Sequence, residues 1–198
     1  MKAKTINAFV AMDIDDLIFH RINDISYHQN PYISISDLSY IPLLHYGFDE
    51  QIHKGEIICN KIIASKVISI FKTFLDAKYQ IQSIRLIDDF AGKDSASMKA
   101  NNTSSFNYRK IINSDRLSYH ALGLAIDLNP LYNPFVKKVG NELLIYPEES
   151  RPYVDRIREF PHKITHEDYA FRIFTEHGFS WGGDWVTLKD YQHFEYKQ

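Results

Sequence analysis

From Gly55 to Tyr79 the chain places Ile58, Ile62, Ile63, Ile70, Phe71, Phe74 and Leu75 at three- and four-residue spacings, and after Gly55 neither Pro nor Gly interrupts it. This spacing predicts one amphipathic helix over 55–79, with Cys59 inside the pattern as a small buried hydrophobe. A helix with one apolar stripe must bury that stripe against another layer. The partners on offer are short strands: Ile81–Ile87, Leu122–Leu128 stopped by Asn129-Pro130 and Asn133-Pro134, Leu143–Tyr146 after the turn pair Gly140-Asn141, and Tyr191–Tyr196. A second helix is predicted over Thr165–His177, where Thr165 with Asp168 resembles a capping box and Gly178 is a natural stop. Gly92–Arg109 is rich in Asn and Ser and reads as a long loop of the kind that carries function. Helices and strands do not alternate regularly, so the predicted class is α+β.

At 198 residues the chain is read as one domain, 1–198, with 1–40 as a cap or wrapping segment of short apolar runs. A formal net charge of −2 argues against a general nucleic-acid binder, which needs a basic field. The apolar stretch Ile6–Met12 is too short to span a membrane and has no clear cleavage site, so neither a transmembrane segment nor an export signal is visible. The single cysteine, Cys59, excludes an intrachain disulfide and a Cys-based zinc site. Nothing demands an oligomer, and a monomer is expected.

Two segments carry chemistry: Ser118-Tyr119-His120-Ala121-Leu122-Gly123-Leu124-Ala125-Ile126-Asp127 and Asp190-Tyr191-Gln192-His193-Phe194-Glu195. They offer two imidazoles and a carboxylate, with a further carboxylate three residues before the second His. That set suffices for a catalytic zinc with an open position for water. The residue types also fit a satisfied core His and a surface Asp. On one continuous strand His120 and Asp127, seven apart, would face opposite ways. A bend at Gly123, or a His120 that precedes the strand, would remove that objection. Trp181 and Trp185 flank Gly182-Gly183. They form a cleft wall or a packing cluster, and Trp181 is taken as a substrate contact. His162 and His166, four apart, are read as surface residues because Pro161 and the helix start fall around them. Asp88-Asp89 ends a strand, and loop solvation is its expected role.

The pattern Ser-x-His-x-x-Gly-x-Ala-x-Asp, followed by Asp-x-x-His-Phe, resembles the zinc D-Ala-D-Ala carboxypeptidase and L-Ala-D-Glu endopeptidase family, peptidoglycan metallopeptidases that share the Hedgehog/D,D-peptidase fold. The likeness extends to Ser97-Met98, Asn101–Arg109, Asp127–Pro130 with Asn133-Pro134, and His177–Trp185, about residues 40 to 196 in all. It implies a small, mainly antiparallel sheet packed with helices. It implies one zinc ion held by His120, Asp127 and His193, with Asp190 as general base and acid. Arg109 would face the developing oxyanion, and Ser118 would line the substrate site unless it is a turn hydroxyl. The implied substrate is a peptidoglycan stem peptide or muropeptide, which puts the protein in the cell envelope, periplasmic or secreted. Asp190, where the dipeptidase branch has Glu, leans the reading toward an endopeptidase or carboxypeptidase. The competing expectations are a non-catalytic zinc-containing wall-binding module and a dipeptidase acting on free D-Ala-D-Ala.

Overall fold

A computed structural model of the chain describes residues 8–111 and 115–197. The first seven residues of the expected wrapping segment, and so the start of the Ile6–Met12 stretch, lie outside the described residues. The elements in order are β1 (Met12–Asp13), α1 (Asp16–Ile22), β2 (Leu38–Tyr46), β3 (Ile52–Asn60), α2 (Lys61–Asp76), β4 (Ser83–Ile84), α3 (Asp94–Lys99), β5 (Asn102–Thr103), β6 (Ala125–Asp127), β7 (Phe135–Val139), β8 (Glu142–Tyr146), α4 (Tyr169–Glu176), β9 (Phe179–Trp181), β10 (Lys189–Asp190) and β11 (His193–Tyr196). They form a mixed α and β molecule with small sheets, in the orders β1-β2-β3, β10-β7-β8 and β6-β11-β9, all antiparallel, and a parallel pair β4-β5. Among the described residues no helix is long and apolar enough to cross a membrane.

The predicted helix over 55–79 is corrected at its start. Gly55–Asn60 belongs to β3, which pairs with β2 from Leu38↔Asn60 to Tyr46↔Ile52. The helix begins only at Lys61, where the Asn60 side chain accepts from Ile62 N at 3.1 Å. The misreading has a physical cause. The end of the β2–β3 hairpin nearest α2 is buried on both faces, so Ile57-Ile58-Cys59 is a continuous apolar run, which periodicity cannot tell from a buried helix. Ile41, Leu43, Ile57 and Cys59 face α2, α4 and the β6-β11-β9 sheet. Leu38, Tyr40 and Ile58 face the other way, onto Ile22, Tyr27, Ile33, Leu86 and Phe106. The N-terminal segment therefore covers the outer face of the hairpin. Arg21 clamps it there through Glu56 at 2.9 and 2.6 Å.

Other boundaries shift as well. The Ile81–Ile87 strand shrinks to β4, and the chain turns into a 3-10 segment at Ile87–Phe90. The Gly92–Arg109 loop contains α3 and β5. Asp168, not Thr165, caps α4, accepting from Ala170 N at 2.8 Å. Asp88 is no solvated loop residue: it accepts from Ser26 N and Oγ at 3.1 and 2.9 Å and ties the N-terminal segment to the body.

Candidate metal and catalytic centre

The site lies on the β6-β11 pair, where Asp127 and His193 are directly opposed. His120 stands outside β6, on the 3-10 turn Tyr119–Leu122, so the seven-residue spacing no longer sets it on the wrong face. The turn is built by two residues. Ser118 Oγ accepts from His120 N at 3.2 Å, and Gly123 takes φ +66°, where a Cβ would lie 2.6 Å from Asn60 N. Ser118 is buried and acts as the cap hydroxyl. The Ser104–Asp127 bridge brings the Ser105 carbonyl beneath the His120 ring.

His120 and His193 are both buried. Each has its outer nitrogen engaged. His120 Nδ1 lies 2.6 Å from Ser105 O, which can only accept, so Nδ1 carries the hydrogen. His193 Nε2 lies 3.2 Å from Glu195 Oε2 and donates to that carboxylate. In the neutral rings the inner nitrogens then present lone pairs. His120 Nε2, His193 Nδ1 and Asp127 Oδ1 form a triangle with sides of 3.2, 3.2 and 3.1 Å. Three acceptors this close repel one another unless a cation or a shared proton lies between them. A tetrahedral zinc with bonds of about 2.0 Å spaces its donors about 3.3 Å apart, so the donor set and its spacing fit that ion. Among the described residues these three form the group able to hold a metal.

The charges agree. Burial opposes ionisation of Asp127, but His120 and His193 outweigh it and hold the carboxyl well below the usual range. Burial alone would lower His193; its bonds to Asp127 and Glu195 and the charge of Asp190 raise it instead. Asp190 is raised to about 7 by burial and by the Asp127 charge, against the pull of His193, His120 and Arg109. Its Oδ1 is buried and accepts no hydrogen bond among the described residues. Gly182 permits this approach, since a Cβ there would lie 2.6 Å from Asp190 O and 3.2 Å from His193 Cβ.

Residues 112–196 match a family model described as D-alanyl-D-alanine carboxypeptidase. The match covers this C-terminal stretch of the chain and leaves residues 1–111 outside it. No curated protein and no solved structure matches the chain. The matched segment contains His120, Asp127, Asp190 and His193, whereas Arg109 precedes it. Arg109 pairs with the Asp94 carboxylate, which also accepts from Asn107 Nδ2 at 2.8 Å, and its charge reaches Asp190.

One expected substrate contact is corrected. Trp181 is 5% exposed, its indole N–H donates to Tyr191 O at 2.9 Å, and its ring packs among Phe171, Tyr191 and Phe194. A ring consumed by packing presents no face to a ligand. Trp185 is the tryptophan beside the site, 5.2 Å from the His193 ring. His166 pairs with Asp184, and His162 stacks on Phe48, both away from the two site imidazoles. Sequence reasoning gave no role to Glu195, Asp94 or the Ser105 carbonyl. Glu195 had a signal, because residues two apart on a strand share a face. A backbone carbonyl has none.

Proposed function

We propose that this protein is a zinc-dependent peptidase that hydrolyses a D-amino-acid-containing bond of peptidoglycan stem peptides, as a D-Ala-D-Ala carboxypeptidase or L-Ala-D-Glu endopeptidase. The carrying observation is the convergence of His120 Nε2, Asp127 Oδ1 and His193 Nδ1, with both outer ring nitrogens already engaged. His120, Asp127 and His193 would hold the zinc. When bound, zinc supplies a Lewis acid for the scissile carbonyl and lowers the pKa of water.

This chain's residues supply the rest. Asp190, buried and unpaired at Oδ1, takes a proton from the attacking water and returns it to the departing amine. Its raised pKa suits both halves of that transfer near neutrality, because the group must accept and then release the same proton. Arg109 brings a fixed positive charge to the oxygen on which negative charge develops. Its pairing with Asp94 holds the guanidinium before substrate arrives. Ser118 shapes the turn that aims His120. The substrate places the action in the cell envelope, periplasmic or secreted, and the protein works as a monomer of one domain.

The test is incubation of zinc-loaded protein, with and without chelator, with purified peptidoglycan and defined stem peptides, read by mass spectrometry. Chelator-sensitive cleavage is the expected result, and fragment masses name the bond. Zinc bound without cleavage of any stem peptide would overturn the reading.

A further inference from the structure

The outer nitrogen of His193 is not left to solvent. It lies 3.2 Å from Glu195 Oε2, and the other oxygen of that carboxylate lies 3.0 Å from Lys197 Nζ. His193 and Glu195 lie two apart on β11, the central strand of its sheet, and Lys197 follows just beyond it: their side chains are 7, 6 and 55% exposed. A carboxylate buried this far is costly without a task, and none of the steps assigned above uses it. The two imidazoles differ in this respect. His120 is backed by the neutral carbonyl of Ser105, His193 by a charged side chain.

The alternative place for the His193 ring hydrogen is Nδ1, 3.1 Å from Asp127 Oδ1. A hydrogen there would occupy two metal-ligand atoms at once, satisfying Asp127 and His193 with each other. Something must make Nε2 the better place. We propose that Glu195 is a positioning residue of the metal centre: it accepts the Nε2–H of His193 and so turns the Nδ1 lone pair toward His120 and Asp127, while Lys197 steadies its second oxygen. The inference rests on the metal reading of the site.

Outer partners of this kind are worth about 10- to 100-fold in metal affinity. The test compares the native chain with Glu195→Ala and Glu195→Gln by zinc competition against a chromophoric chelator. Glu195→Ala is expected to weaken zinc binding about 10- to 100-fold. Glu195→Gln, whose amide oxygen still accepts, is expected to recover most of the loss. Equal thermal midpoints of the metal-free proteins separate this from unfolding. Nitrogen-15 spectra of the zinc-loaded native protein give an independent readout: a sharp, slowly exchanging Nε2–H on His193 is expected. Zinc bound equally well by native chain and Glu195→Ala overturns the inference alone. If Glu195→Ala does not fold, the glutamine variant and the ring spectrum decide, and an Nε2–H exchanging freely with solvent overturns the inference. A native chain that binds no zinc overturns the metal reading and this inference together.

Discussion

Asp190 has to be a base at one moment and an acid at the next. Burial beside Asp127 raises its pKa to about 7, and a cation held by its neighbours pulls it back toward the ionised form. Asp190→Asn removes the proton carrier and leaves the ligands untouched. We predict a fall in kcat of about 10²- to 10⁴-fold with zinc stoichiometry unchanged, measured on a stem peptide that the native protein cleaves. Loss of zinc along with activity would sink the assignment. Arg109→Ala is expected to lower kcat by about 10²- to 10³-fold, the range for removing one oxyanion donor. Arg109→Lys should rescue little of it, because an ammonium lacks the planar set of donors through which a guanidinium can meet Asp94 and still face the oxyanion. Both residues were reached through the resemblance of their motifs to a peptidase family; residue types and spacing alone also fit a core His and a surface Asp. Trp185 and Asp94 were not, since an aromatic or a carboxylate far along the chain carries no mark of where it will fold. Trp181 misled for the same reason: its neighbour Trp185 has the same chemistry and differs only in which ring the turn Gly182–Asp184 turns inward.

The turn that carries His120 is fastened to the start of α2 by one residue. Asn60 Oδ1 accepts from Ile62 N at 3.1 Å, its Nδ2 donates to Leu122 O at 3.1 Å, and its backbone N donates to Gly123 O at 2.8 Å. Asn60→Ala keeps the last bond and loses the other two. A lost N-cap costs about 1 kcal/mol and a lost hydrogen bond about as much again. For a chain of this length that predicts a Tm lower by about 4–8 °C. Asn60→Asp keeps the cap and loses only the bond to Leu122, so it should fall by less. Thermal melts in chelator measure both, and equal melts for all three proteins would show that the fastening contributes nothing. The same residue explains why the element reading failed at 55–60. Sequence periodicity sees Ile57-Ile58-Cys59 as helical surface, and only the strand opposite, with its own apolar face on each side, reveals a hairpin. The hairpin Phe135–Tyr146, with Gly140-Asn141 at its tip, was readable because its turn is local.

The β2–β3 hairpin is the plate between two cores at its Cys59 end, and at its other end it buries a titratable ring opposite the exposed His53. His45 lies on β2, 4% exposed, with Nδ1 donating to Ile81 O at 2.9 Å and its ring 5.6 Å from that of His53. Burial holds its pKa below the ordinary histidine value; His53 pushes the same way, while the Ile81 carbonyl and Asp49 oppose it. The unfolded chain protonates this group near pH 6.5, where the folded chain keeps it neutral. The unfolded state therefore binds more protons below that pH. Stability from this group is complete above about pH 6.5 and is lost as pH falls toward the depressed folded pKa, by at most about 1.4 kcal/mol per pH unit. Asp88, Asp168 and the site carboxylates also titrate in acid, but they are common to the native chain and a His45 variant, so they cancel in the difference. His45→Asn places an amide N–H near the Nδ1 position and cannot titrate. Urea midpoints in chelator at pH 7.5 and 5.5 test the argument. The native chain is expected to lose more stability on acidification than His45→Asn. Equal losses would mean that His45 takes up its proton inside the folded hairpin, and that the hairpin opens to water at that end.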